Sequence, residues 1–163
     1  MIHELDQIDL QILTVLQQDG RISNADLAQR VGLTPPTVLR RVKLLEERGY
    51  LKGYTALVDP LALKLNVTAF IFVESAAGCD LDGLTEMLVQ LPGVQEVHRV
   101  LGEWCFLVKV RTQTPQTLED VIYHEIRNHP GVRRTFTVLS TSAPHETPNV
   151  PVPELLYNQM IVE

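Results

Sequence analysis

A chain of 163 residues, 45% of them hydrophobic, can bury a sizeable core, and its length allows one domain or two small ones. A formal net charge of −6 argues against an indiscriminate nucleic-acid coat, and no apolar run approaches membrane-spanning length, so no membrane partner is expected. The spacing of Cys79 and Cys105 allows a disulfide, but without a C-x-x-C pair free thiols in a reducing compartment are the expectation. The N-terminal Met1-Ile-His-Glu-Leu-Asp lacks a basic region followed by an apolar run, so no signal peptide is expected and the chain is read as cytoplasmic.

The first predicted helix carries Leu5, Ile8, Ile12, Leu13 and Leu16 at helical spacing, with Asp6 and Asp9 in its first turn and Gly20 at its end. A second starts at Ser23, a hydroxyl N-cap with Asp26 three residues on in a short variant of the capping box. Leu27, Ala28 and Val31 face inward. Gly32 supplies the freedom for a tight turn, and Leu33 plugs the angle between helices. Thr34 is the next N-cap and Pro35 the first helical residue, where a missing N–H costs nothing. On this third helix Val38, Val42 and Leu45 share one face with Leu39 at the flank. Thr37, Arg40 and Lys43 fall on the other side, and Arg41 sits at the border.

Two short helices joined by a tight turn, the second showing cations to solvent, are the pattern of a DNA-binding helix-turn-helix. An ordinary helical hairpin with a solvated charged face would also carry an Arg-Arg-x-Lys run. Here the caps, the glycine turn and the inward–outward split agree on groove insertion. The charge distribution points the same way. Residues 1–29 hold one cation against five acids, residues 30–52 six cations against two acids, and the remainder seven against thirteen. A small cationic face on an acidic body suits site-specific binding to double-stranded DNA. Expected DNA contacts are Asn24, Thr34, Pro36, Thr37, Arg40, Arg41 and Lys43.

Gly49 ends the third helix, and residues 50–58 read as a strand, both wing and connector, closed by Asp59-Pro60. The second module holds an internal repeat. Pro92-Gly93-Val94 and Pro130-Gly131-Val132 each follow an amphipathic helix and precede a β-rich run. The helical stripes are Leu81, Leu84, Leu88 and Leu91, capped by Asp80, and Leu118, Val121, Ile122 and Ile126, opened by Thr114-Pro115. Val67, Ala69, Ile71 and Val73 alternate before the first helix, as do Trp104, Phe106, Val108 and Val110 before the second. The order βαββαβ implies an antiparallel four-stranded sheet with both helices on one face, a ferredoxin-like α+β arrangement. Phe70 and Phe72 then lie on the other face, which calls for burial against a second subunit. From Ala143 four prolines make an extended connector, and Glu154-Leu-Leu-Tyr-Asn-Gln-Met-Ile-Val offers apolar residues to dock on a neighbour, with a frayed tail as the alternative. The expected divisions are a winged helix-turn-helix over 1–52, a strand or linker over 53–63, the ferredoxin-like domain over 64–142 and a Pro-rich tail over 143–163.

Taken in order, several short motifs carry a resemblance. They are Leu5-Asp6-x-x-Asp9 before Ile12-Leu13, Asp19-Gly20-Arg21-Ile22, Leu27-Ala28, Val31-Gly32-Leu33-Thr34-Pro35, Arg41-Val42-x-x-Leu45-Glu46 and Gly49-x-Leu51-x-Gly53-Tyr54. Asp59-Pro60, Pro92-Gly93-Val94 and Gly102 follow. The chain resembles the Lrp/AsnC, or feast/famine, transcription regulators over about residues 4–142. The resemblance implies a winged helix-turn-helix joined to a ferredoxin-like effector-sensing domain, dimers formed through the sheets, octamers of four dimers, and small effectors, commonly amino acids, bound between dimers. It also implies an effector region at Leu101, Gly102, Glu103, Trp104 and Cys105.

That region departs from the family's usual Thr-Gly-x-x-Asp: Leu101 stands for Thr and Cys105 for Asp. A thiol is a poor acceptor for a ligand ammonium, so a different effector, or none, is the expectation in place of a free amino acid. No cofactor or metal is expected. His124 and His129 are five apart, off the spacing that places two ligands on one helix face, and no phosphate-binding Gly-rich loop occurs. The competing class is a sirohaem-decarboxylase-like enzyme of the same architecture. Residues 51–56, Leu-Lys-Gly-Tyr-Thr-Ala, lack the Arg-rich run such relatives carry, and no enzymatic activity is expected.

Overall fold

The computed structural model describes residues 5–152 and divides into two compact units, Met1–Leu57 with Glu146–Glu163, and Val58–His145. The apolar run expected to dock at 154–162 lies outside the described residues.

The first unit holds three helices, α1 (Gln7–Gln18), α2 (Asn24–Val31) and α3 (Pro35–Glu47). A full capping box opens α1: the Asp9 N–H donates to the Asp6 carboxylate at 2.8 Å, and the Asp6 N–H to the Asp9 carboxylate at 3.3 Å. Ser23 caps α2, accepting from the Asp26 N–H at 3.1 Å. Its hydroxyl donates to the Asp26 carboxylate at 2.6 Å, so the second half of the box runs through side chains. Gly32 ends α2 in the left-handed region, φ 69°, the conformation that the tight turn requires and glycine adopts without steric cost. Ile12, Leu16, Leu27, Ala28, Val31, Val38, Val42 and Leu45 close one core.

Residues 50–58 form no strand. The segment is extended, but a strand needs a ladder partner, and among the described residues the sheet is built wholly from later segments. Leu57 and Val58 are 78% and 63% exposed.

In the second unit β1 (Val67–Ser75), α4 (Leu81–Gln90), β2 (Val94–Arg99), β3 (Phe106–Thr112), α5 (Pro115–Asp120) and β4 (Val132–Ser140) follow in order. A π-helical turn, Val121–Arg127, continues α5. The sheet order is β2-β3-β1-β4 with every neighbouring pair antiparallel, the ferredoxin-like arrangement. Ala69, Ile71 and Val73 of β1 and Phe106, Val108 and Val110 of β3 share a core with Leu84 and Leu88 of α4 and with Leu118, Val121 and Ile126. Both helical layers therefore cover the same sheet face. Gly93 is fixed by a close approach: at φ 79° an added Cβ would lie 2.3 Å from the Arg111 carbonyl oxygen.

Candidate nucleic-acid interface and effector hairpin

Thr34 is the N-cap of α3 by backbone position, yet its side chain makes no capping bond. Pro35 and Pro36 remove two of the N–H groups a cap would serve, and the Thr34 hydroxyl instead meets that of Thr37 at 2.9 Å. The helix turns its buried stripe, Val38, Val42 and Leu45, inward. At 100° per residue Pro36, Arg40 and Lys43 align on the opposite stripe. All three are exposed, while Thr37 at the flank is half-buried. Neither Arg40 nor Lys43 forms an ion pair among the described residues, and each is free to meet a phosphate or a base edge. Asn24, the first residue of α2, is exposed.

Arg41 differs from its neighbours in being paired within the headpiece. Its guanidinium donates to both Asp6 and Asp9 at 2.7 Å, bridging α3 to the capping box of α1. The pair is only partly exposed, with 24% of the Arg41 side chain and 15% of the Asp9 side chain reaching solvent. The Asp9 backbone N–H, with Arg41 beside it, holds the Asp6 carboxyl below its ordinary range, and the two carboxylates raise Arg41 in turn. A cation held this way ties α1 to α3. Sequence periodicity put it at the border; what decided its direction was a pair of acids more than 30 residues earlier.

In the second unit the hairpin 100–105 joins β2 to β3. Trp104 lies ahead of β3, although its alternation with Phe106, Val108 and Val110 suggested a strand residue. Its ring stacks at 6.2 Å and 27° on Phe136 and lies 5.9 Å from Phe72, while the Arg134 guanidinium sits 4.5 Å from the Trp104 ring centre. The same guanidinium donates to both Glu74 and Glu103. Arg134 holds the Glu74 carboxyl below its usual range. Glu103 is thus already engaged by a cation. Leu101 is fully exposed and Gly102 turns at φ 136°. Cys105 lies on the other side, its Sγ 3.1 Å from the Ser75 hydroxyl and its N–H donating to the Val73 carbonyl at 3.0 Å.

The structure therefore brings Glu103 and Trp104 together and separates them from Leu101 and Cys105. It adds Phe72, Glu74, Arg134 and Phe136, which sequence reading did not assign to the site. The signal was present in the strand register: Phe72 pairs with Phe136, and Glu74 with Arg134. Both pairs project from the face opposite the core, where Phe136 and Val138 are 54% and 41% exposed. Cys79 and Cys105 are both free thiols, and no helix of the described residues is long and apolar enough to cross a membrane.

Two family models match this chain. One describes a winged helix-turn-helix DNA-binding domain over residues 5–52, the other an Lrp/AsnC ligand-binding domain over residues 68–150. The leucine-responsive regulatory proteins of Klebsiella pneumoniae and Escherichia coli K12 are each 36% identical over 140 residues, covering 83% of this chain and 85% of theirs. Among solved structures, a transcriptional regulator of Neisseria meningitidis in complex with L-methionine superposes with a TM-score of 0.88 at 29% identity, covering 93% of this chain and 99% of that one. Escherichia coli AsnC follows with a TM-score of 0.84 at 25% identity, covering 91% and 100%.

Proposed function

The chain belongs to the Lrp/AsnC family as a DNA-binding transcriptional regulator, and on that premise we propose that it reads duplex DNA with the outward stripe of α3, as paired headpieces of a dimer or larger assembly. The observation that carries this reading is the division of cations on α3. Arg41 is paired with two carboxylates, whereas Arg40 and Lys43 stand exposed beside Pro36 with no ion pair among the described residues. Thr34, Thr37 and Asn24 complete the contact set around the helix-turn-helix. Arg40 and Lys43 supply phosphate or base contacts, and the hydroxyls and amide position the helix. A chain that reads DNA works where the DNA is, which for this family is the cytoplasm.

Assembly proceeds through the open sheet face. Phe72, Phe136 and Val138 form an apolar patch there that a second copy would bury. Octamers are the larger assembly the family reading suggests. The effector region is the hairpin 100–105, and the effector is not a typical free amino acid. The position that would hold an ammonium carries the Cys105 thiol, which faces Ser75, and the neighbouring Glu103 is bound by Arg134. An ammonium left without a carboxylate in such a site would cost more than it gains.

Selection of duplexes from a random library by the full-length protein tests the DNA reading. The recovered sequences should be near-palindromic, with half-sites about one helical turn or a multiple of it apart. Recovery of no enriched sequence would overturn the proposal.

A further inference from the structure

The outward side of α3 carries carbon as well as charge. Its first turn is short of donors: Pro35 and Pro36 have no N–H, and the Val38 N–H donates to the Thr34 carbonyl at 3.1 Å. The Thr34 and Thr37 hydroxyls meet each other at 2.9 Å. A helix N-terminus binds a phosphate through N–H groups aimed at it, and this one has at most the Thr37 N–H to offer. What the turn presents to solvent is the Pro36 ring. Three residues on, Leu39 is 42% exposed and takes no part in the headpiece core, although its place at the flank of the buried stripe would allow it to. Single exposed leucines are ordinary on protein surfaces, and what sets Leu39 apart is its neighbours. Pro36, Leu39, Arg40 and Lys43 follow the i, i+3, i+4, i+7 spacing of one helix face. The two apolar side chains are therefore bordered by two cations that form no ion pair among the described residues.

We propose that Pro36 and Leu39 together read the C5-methyl group of a thymine in the major groove, while Arg40 and Lys43 meet phosphate or a base edge beside it. The inference rests on the reading above that α3 enters the groove, and it names what the helix recognises there. Among the four bases thymine alone presents a methyl group in the major groove, and apolar side chains recognise it by contact. In a helix-turn-helix the N-terminal residues of the second helix approach the base edges, and Pro36 and Leu39 stand in the N-terminal half of α3. A proline ring is fixed to the backbone and loses no rotamer freedom on contact. Neither side chain can donate or accept a hydrogen bond, so a base edge rich in polar groups would lose its water against them and gain nothing in return. Four residues of helix rise about 6 Å, close to two base-pair steps, so the methyl group falls within about two base pairs of the position that Arg40 meets.

The test uses the full-length wild type and the double variant Pro36→Ala, Leu39→Ala, on a duplex selected by the wild type. Both positions are exposed and alanine is a strong helix former, so the double variant keeps α3 folded. Each thymine of one half-site is replaced in turn by uracil, which removes the methyl group and leaves the base pair intact. At one thymine the wild-type affinity should fall by about fourfold, the worth of one buried methyl-sized group. In the double variant the same replacement should change the affinity by less than about 1.5-fold. A selected half-site without thymine, or no loss at any thymine in the wild type, overturns the proposal and leaves the DNA reading standing. So does a fourfold loss that persists undiminished in the double variant. If the wild type selects no duplex, the reading of α3 fails and the methyl contact with it.

Discussion

Arg41→Ala is the sharpest perturbation of the headpiece. The side chain donates to Asp6 and Asp9 at 2.7 Å each, bridging α3 to the capping box of α1. The Asp6 contact is half-exposed, with 52% of that side chain in solvent, and an exposed pair contributes only about 0–1 kcal/mol. The Asp9 contact is more buried, at 15%, and removing its partner leaves a carboxylate poorly solvated, so the loss there is larger. Together the expected cost is about 1–2 kcal/mol of headpiece stability at neutral pH. Arg41→Lys should recover less than half, since an ammonium lacks the planar fork that reaches two carboxylates at once. The pH dependence has a definite sign. The folded-state pKa of Asp6 is depressed below its ordinary value of 3.8, so its share of the stability is fully present above about pH 4 and is lost as the pH falls through the lower folded value. The Asp9 N–H, the larger cause of that depression, is common to both proteins, so only the Arg41 share is lost and the gap between wild type and Arg41→Ala should narrow slightly in acid. Hydrogen exchange of α1 and α3 amides in full-length protein reads the headpiece separately from the sheet domain. Unchanged exchange in Arg41→Ala at neutral pH, with DNA affinity sharply reduced, would refute the reasoning and return Arg41 to the reading surface.

Other consequences concern the second unit. Gly93→Ala forces a Cβ against the Arg111 carbonyl at positive φ and should cost at least about 2 kcal/mol, measured by chemical denaturation of that domain. Phe136→Glu places a charge on the open sheet face beside Phe72 and should lower the assembled mass in light scattering; an unchanged mass would mean assembly uses another surface. Cys105→Asp restores a carboxylate in the hairpin and should raise the affinity for at least one free amino acid in calorimetry, whereas the wild type should show weak or no binding. Tight stoichiometric binding of any common amino acid by the wild type would show that another group supplies the charge.

What was legible in the sequence was mostly local. Caps at Ser23, Asp80 and Thr114, the turn at Gly32 and the alternation in β1 and β3 rest on neighbours within a few residues, and these placed the elements and the order of the sheet. What escaped depended on distant partners. Arg41 is taken by Asp6 and Asp9, and Glu103 by Arg134, 31 residues away. Periodicity has no term for either. Residues 50–58 have the composition of a strand, but composition cannot provide the second strand it would pair with. The tail was read from its prolines as a separate connector, while a single glutamine at the far end of α1 captures Val150.

The outward stripe of α3 is the proposed reading surface. The most direct measurement is the affinity of the double variant Arg40→Ala, Lys43→Ala for a duplex selected by the wild type, across a salt series. The affinity should fall by at least about tenfold. If both side chains meet phosphates, the slope of log K against log salt should shrink by about 1–2. If Arg40 reads a base, the loss should instead depend on sequence at one position of each half-site. Unchanged affinity and slope in a folded double variant would contradict the claim that this helix enters the groove.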